Sequence, residues 1–358
     1  MRCWESLKIS CSLVSFYDIN NWNSPVWAKP PKGSRAQRIV EEPETGGVYY
    51  FKKSHDRNPS EFWSEIIASK IGQTIGFNTL DYNLAIRNGE FGCLSKSMIN
   101  TDKGEVLYHG LEVLNDYFEK FIVSYRPVFS FQDIKKLCAD NEEFNSFLER
   151  FIEIILFDAL IGNTDRHTEN WAFILNEKKP NIDIDLQENL CCFALFQTLF
   201  NVFNSKSWKS YKKGISFKNQ VMDLKIFPPI SFAPIYDSGS CLGREMNEAR
   251  ILGFINDEKQ IERYLNRGES EIKWFDKNEK FFEMVEKVLM EERELTINCA
   301  KKIFDNLTAE KIQDIVNNAD NCLENHNTDT LLSVDRKKLI TLLLQKRLEL
   351  LKKRIKIA

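Results

Sequence analysis

Glycine and proline are scarce in this 358-residue chain, at 15 and 10, which excludes a collagen-like or low-complexity polymer. Neither charge sign dominates. With 49 Lys and Arg against 52 Asp and Glu, a net charge of -3 gives the whole protein no affinity for nucleic-acid phosphate, so direct nucleic-acid binding is not expected. No apolar run approaches the roughly 18 residues of a membrane span. The opening residues, MRCWESLKISCSLVSF, lack a clean apolar stretch ending in a small-residue cleavage site. A cytoplasmic protein is therefore expected, with export open only to a signal-independent route. No C-x-x-C pair occurs among the nine cysteines, and no histidine stands at ligand spacing from one, which argues against zinc. An odd cysteine count without a secretory signal reads as reduced, mostly buried thiols. Internal repeats are absent.

The chain does have core-forming material. Hydrophobic residues make up 43% and include 26 Phe, enough to bury a sizeable interior. The length fits two domains or one large two-lobed domain. Gly46-Gly47 between Arg38-Ile39-Val40 and Val48-Tyr49-Tyr50-Phe51 reads as the turn region of a β-hairpin, and Asn88-Gly89 marks a second turn within YNLAIRNGEFGCLSKSMI. Between them, EFWSEIIASKI reads as a helix. Asn58 is its expected N-cap, Pro59 its first position, Glu61 its capping partner and Gly72 its stop.

Beyond residue 102 the pattern turns helical. EEFNSFLERFIEIILFDAL is apolar nearly all round and is expected to be a buried central helix. Helical periodicity also covers about 256–266, 276–303, 308–318 and 335–356. The expected architecture is α+β in two lobes: a small β-rich N-lobe over 1–102 and a larger α-rich C-lobe over 103–358.

The chemistry gathers in two segments. IGNTDRHTEN follows the buried helix and precedes the strand candidate WAFIL, so a rigid element delivers a polar loop carrying Asn163, Asp165, Arg166, His167 and Asn170. Downstream, FAPIYDSGS ends a short apolar run on Asp237. A carboxylate and an amide five residues apart, plus a second carboxylate, form a hard-oxygen cluster suited to Mg²⁺ that also binds substrate phosphates.

GNTDRHTENW together with FAPIYDSGSCL resembles the catalytic and metal loops of the HipA-like serine/threonine kinase family, in particular its compact CtkA-type members. The resemblance runs with gaps from about residue 25 to 350. It implies a two-lobed, protein-kinase-like fold and Mg-dependent transfer of phosphate from ATP to a protein Ser or Thr. By that resemblance Asp165 accepts or orients the proton of the acceptor hydroxyl, and Asn170 and Asp237 hold Mg²⁺. His167 fixes the loop, Asn163 caps it, and Arg166 braces either a loop carboxylate or a phosphate.

In the N-lobe, Lys52 at the end of VYYFK occupies the position of the ATP lysine, and Glu65 resembles the helix glutamate that pairs with it. PPKGSRAQR is similar to the family's phosphate-covering loop, with Gly33, Ser34 and Arg35 facing the phosphates and Ser34 the candidate autophosphorylation site. Gln37 stands where the family usually has Lys.

Residues 176–229 form an insert, longer than CtkA-type chains show between the two loops. Within it, LCCFALFQTLFNVF reads as a buried helix and SKSWKSYKKGISFKN as a solvated basic loop. The C-terminal SVDRKKLITLLLQKRLELLKKRIKIA reads as a packed helix with a wet basic face. HipA toxins are held by an antitoxin, so a regulatory partner is a further expectation of the resemblance. The toxin role itself is not carried over, because too few residues precede the phosphate-covering loop for HipA's extra N-terminal domain. Two other readings remain: a lipid or small-molecule kinase with the same DRH--N loop, and a nucleotide-binding pseudokinase scaffold.

Overall fold

The structure is a computed structural model that describes residues 13–26, 37–118, 129–176, 181–184, 212–217, 220–227, 230–323 and 330–356. Its strands are β1 (Phe16–Asp18), β2 (Gln37–Glu41), β3 (Val48–Lys53), β4 (Tyr82–Arg87), β5 (Glu90–Lys96), β6 (Glu105–His109), β7 (Ala172–Asn176), β8 (Asn181–Ile184), β9 (Lys212–Phe217), β10 (Gln220–Phe227) and β11 (Ile230–Phe232). The helices are α1 (Glu61–Thr74), α2 (Gly110–Phe118), α3 (Phe131–Asp140), α4 (Leu148–Ile161), α5 (Glu248–Ile255), α6 (Glu258–Arg267), α7 (Phe281–Glu291), α8 (Arg293–Asn306), α9 (Ala309–Asn318) and α10 (Val334–Arg354). They fall into two compact units. One comprises Met1–Met98, Val128–Asn170 and Pro234–Ala358; the other comprises Ile99–Pro127 and Trp171–Ala233.

In the first unit a five-stranded sheet has the order β1-β4-β5-β3-β2. Both expected hairpins are present, β2 against β3 and β4 against β5. Their local signals are sound: Asn88 and Gly89 both take positive φ, as a two-residue hairpin turn requires. One face of the sheet buries Ile19, Trp22, Val40, Phe51, Ala85 and Leu94 as a single cluster.

Helix α1 departs from its expected ends. It starts at Glu61 after Ser60, and Asn58 does not cap it with its side chain. The first N–H groups are met from elsewhere, Glu61 by the Asn58 carbonyl at 3.0 Å and Phe62 by the Ser54 hydroxyl at 2.9 Å. The Glu61 carboxylate turns inward, accepts from the His55 N–H at 3.4 Å and forms an ion pair with Arg244. Gly72 does not stop the helix, which runs on to Thr74, and its missing Cβ instead leaves room for a neighbour. A Cβ there would lie 2.2 Å from the Thr79 methyl.

α4 is the buried central helix, with every residue from Phe151 to Ile161 shielded from solvent. α3 opens with a capping box between Ser130 and Asp133. The periodic stretch 276–303 is two helices rather than one. The chain leaves helical geometry at Glu292, whose carboxylate lies 2.6 Å from Lys135 Nζ, with Glu291 2.8 Å from the same nitrogen. The break carries no Pro or Gly signal in the sequence, and a tertiary ion pair stands beside it.

The second unit holds two antiparallel three-stranded sheets, β11-β7-β6 and β8-β10-β9. The strand candidate WAFIL supplies β7. Part of the basic segment expected as a loop is strand β9, hydrogen-bonded along β10. Residues 212–217 alternate enough to pair once a partner strand exists, which is a non-local condition. The apolar run 190–203 lies outside the described residues.

Candidate active site

The IGNTDRHTEN loop begins where α4 ends. Gly162 takes a left-handed conformation (φ 74°), and the N–H groups of Gly162 and Asn163 both donate to the Asp158 carbonyl, at 2.8 and 3.0 Å. The Asn163 side chain donates to Asp158 Oδ1 at 3.0 Å and accepts from the Asp165 N–H at 3.4 Å. Residue 163 therefore closes the helix end and fixes the start of the loop.

Arg166 is 2% exposed, and each of its five N–H donors finds an acceptor inside the protein. Nε donates to Asp158 Oδ2 at 3.0 Å and one terminal nitrogen to Asp158 Oδ1 at 2.9 Å. That nitrogen also reaches Ser238 Oγ at 2.9 Å. The other donates to the Asn170 carbonyl at 2.9 Å and the Tyr236 carbonyl at 2.5 Å. Burial works against the cation, but the Asp158 carboxylate outweighs it and raises the Arg166 pKa above its ordinary value.

Asp165 keeps 44% of its side chain exposed, with Oδ2 accepting from the Ser240 hydroxyl at 3.4 Å. The Ser240 carbonyl takes the Thr164 N–H at 3.3 Å, so the downstream segment touches the loop twice at this point. His167 lies 3.9 Å from both Asp165 Oδ1 and Glu169 Oε2, and its Nδ1 accepts the Glu169 N–H at 3.2 Å. Asn170 is buried and its amide donates to the Asp165 carbonyl at 2.5 Å. That hydrogen bond uses the nitrogen and leaves the amide oxygen as the group's ligating atom.

The FAPIYDSGS segment is held beside the sheet. The Ile235 N–H donates to the Asn78 carbonyl at 2.7 Å, and the Leu80 N–H donates back to the Ile235 carbonyl at 2.9 Å. Asp237 takes positive φ (53°), an uncommon state for a non-glycine that recurs at functional turns. Its Oδ1 lies 3.3 Å from Lys52 Nζ, and its N–H donates to the Tyr82 hydroxyl at 3.4 Å. The Lys52 ammonium also stands 5.7 Å from the Tyr82 ring centre. Glu65, one turn along α1 from Glu61, accepts the Ser238 N–H at 2.9 Å. Burial, and then the charges of Glu65 and Asp237, push the Tyr82 hydroxyl well above its ordinary pKa.

The structure therefore brings Lys52, Glu65, Asn163, Asp165, Arg166, His167, Asn170 and Asp237 onto one compact unit. Gly33, Ser34 and Arg35 lie outside the described residues. Asp158, Ser238, Ser240, Tyr82 and Tyr236 were not singled out from the sequence. A signal existed for Asp158: a carboxylate inside IILFDALIG sits in a buried run and demands a partner.

The residues fit a magnesium ion. The donor set offers the Asp237 carboxylate and the Asn170 amide oxygen, both hard, and the carbonyls of Asn170 and Tyr236 share one Arg166 nitrogen, which draws the two segments together. A second cluster is chemically different. Glu149, Glu153 and Cys299 offer ligand atoms within 4.8 Å of one another, but Lys302 Nζ stands 2.8 Å from each carboxylate and Arg150 2.6 Å from Glu153. Cations of the protein already neutralise those acids, and burial raises the Cys299 thiol to about 12.

No protein-family model and no curated protein matches the sequence. Solved structures do. The proinflammatory kinase CtkA of Helicobacter pylori superposes with a TM-score of 0.66 at 17% identity, over 94% of each chain. A chain from the HipA, HipB and operator DNA complex of the Shewanella oneidensis MR-1 toxin–antitoxin system superposes with a TM-score of 0.49 at 12% identity, over 93% of this chain and 67% of that one. Among the described residues no helix is long and apolar enough to cross a membrane. With a small β-sheet region, a larger helical part and nearly complete overlap with CtkA, this chain has the fold of the CtkA kinase.

Proposed function

We propose that the chain transfers the γ-phosphate of ATP, with Mg²⁺, to a serine or threonine hydroxyl of a protein, and that it also phosphorylates itself. In this reading residues 1–102 form the nucleotide lobe, and 103–358 carry the catalytic and metal loops. The observation that carries it is the joining of two polar segments by Arg166: the loop with Asp165 and Asn170 is tied to the carbonyl next to Asp237.

Each side chain has a role that follows from its setting. Asp165 is the accessible carboxylate and takes or orients the acceptor proton. The Ser240 hydroxyl and the Asn170 amide hold the residue on either side of its carboxyl and carbonyl. Asn170 and Asp237 would hold the metal, whose charge offsets that of the phosphates. Lys52 would bind a phosphate, and its ammonium already lies in the anionic neighbourhood of Asp237. Glu65 fixes the turn after Asp237 through the Ser238 N–H. Catalysis in such a site rests on position and fixed charge more than on covalent chemistry.

The test is phosphate transfer from labelled Mg-ATP by wild type and Asp165→Ala side by side, with a generic protein acceptor and with phosphosite mapping. Label on a protein Ser or Thr, reduced by about 10²–10⁴-fold in the variant, supports the proposal. ATP binding without turnover would instead make the chain a scaffold. Turnover appearing only with a phosphoinositide or a small hydroxyl acceptor would change the substrate class.

A further inference from the structure

The site contains a buried ion pair that cannot touch nucleotide, because every donor of its cation is spent inside the protein. We propose that Asp158 is a positioning residue for phosphate transfer. Acting through Arg166, it fixes the separation between the loop of Asp165 and Asn170 and the segment of Asp237. The inference rests on the kinase reading of the site.

The argument begins at the frame. Asp158 lies in the last turn of α4, whose residues from Phe151 to Ile161 are buried, so its carboxylate has little freedom to move. Its main-chain carbonyl takes two N–H groups at the start of the loop. Its side chain takes the Asn163 amide and one edge of the Arg166 guanidinium, Nε and a terminal nitrogen. One residue thereby sets where the loop starts and how the guanidinium lies.

Arg166 then passes that placement on to two other segments. One terminal nitrogen bonds the carbonyls of Asn170 and Tyr236, and the other bonds Asp158 and Ser238 Oγ. Tyr236 and Ser238 flank Asp237 in sequence, so the chain is gripped on each side of the metal-site carboxylate. Asn170 is the other oxygen donor proposed for the metal. A planar fork with five donors can meet acceptors from three segments at once, whereas an ammonium has three donors and no fixed plane. The need is therefore for the shape of arginine, not for its charge alone. A misplacement of about 1 Å in such a site is enough to cost on the order of 100-fold in rate.

A purely structural ion pair would make a different prediction, and the experiment separates the two. Asp158→Asn, Arg166→Lys and Ser238→Ala are made in the full chain. For each, kcat, KM for ATP and the Mg²⁺ concentration for half-maximal transfer are measured beside a thermal melt. On the proposal, Arg166→Lys and Asp158→Asn lower kcat by about tenfold or more and raise the Mg²⁺ requirement at temperatures where the protein remains folded. Ser238→Ala keeps the ion pair and loses one bond of the fork, so it gives a smaller change in the same direction and serves if the charge variants do not fold. Lower melting temperatures with kcat and Mg²⁺ requirement unchanged would overturn the proposal, as would wild-type kcat in Arg166→Lys. A wild type that transfers no phosphate defeats the kinase reading instead. The positioning role is then decided by Mg²⁺-dependent ATP binding, weakened in the variants if the role holds and unchanged if it does not. Absence of that binding in wild type overturns both.

Discussion

Gly72 shows how one missing methyl sets the packing of a helix. A Cβ at this position would meet the Thr79 methyl at 2.2 Å and its hydroxyl at 2.9 Å. Thr79 cannot easily retreat, because its hydroxyl donates to the Ser69 carbonyl at 3.0 Å and its backbone bridges to Ile235 next to the site. Gly72→Ala gains about 1 kcal/mol of helix propensity but incurs an overpacking cost of about 1–3 kcal/mol. The clash wins, and the variant is expected to unfold at lower urea than wild type. Adding Thr79→Ser removes the nearest carbon while keeping a hydroxyl for Ser69, so the double variant recovers part of the loss. A Gly72→Ala protein as stable as wild type would mean that the close approach is not a constraint. The same residue explains a misreading. Glycine after an apolar stretch is a sound stop signal locally, yet here it marks a contact with a residue seven positions on, and single-residue chemistry cannot separate the two.

At the scale of the element, α1 is a helix with no wet face. Every residue from Glu61 to Gly72 is buried, and its polar groups meet partners from distant sequence. Glu61 pairs with Arg244, Glu65 takes the Ser238 N–H, Lys70 lies 2.5 Å from Asp81, and Ser69 donates to the Leu80 carbonyl at 2.7 Å. The periodicity of EFWSEIIASKI was enough to read a helix, because that signal is local. The job of Glu61 was not legible as anything but a cap, because Arg244 is far away in sequence.

A buried charge left alone is costly, so Arg244→Met is expected to destabilise by about 3–5 kcal/mol. Replacing both partners, Glu61→Leu with Arg244→Met, removes the orphaned carboxylate and should restore most of that. Denaturant melts of the two singles and the double give the coupling directly. A double variant no more stable than Arg244→Met would show that Glu61 does not depend on that arginine. The hairpins were legible for the opposite reason: Asn88-Gly89 specifies its turn within two residues, and pairing of the flanking strands follows.

Across the whole molecule the C-terminal helix shows where composition stops being informative. The run through α10 reads as one basic stripe, yet two of its cations lie inside the protein. Lys338, Lys352 and Lys353 are exposed, while Arg336 and Arg347 are each 3% exposed. The planar guanidinium suits such buried positions, because its fixed donors can meet main-chain acceptors. Arg336 donates to the carbonyls of Gly243 and Met246 at 2.8 and 2.5 Å, in the stretch that follows Asp237. Arg347 donates to the Ala159 carbonyl at 3.1 Å, lies 5.3 Å from the Phe281 ring centre and fills the space beside Gly162. A cation there also faces the negative end of the α4 dipole, at the point where the polar loop with Asp165 begins.

The polar loop from Asn163 to Asn170 was legible as a motif because its spacing is local, but a support at its base comes from the far end of the chain. Arg347→Ala removes a charged hydrogen bond and a cation–π contact, and should lower stability by about 2 kcal/mol or more. Lys353→Ala, six residues on and exposed, should leave it within about 0.5 kcal/mol of wild type. Denaturant midpoints of the two variants decide the matter. If both fall alike, the helix is held as a charged surface; if only Arg347→Ala falls, two arginines among many lysines anchor it to the base of the site.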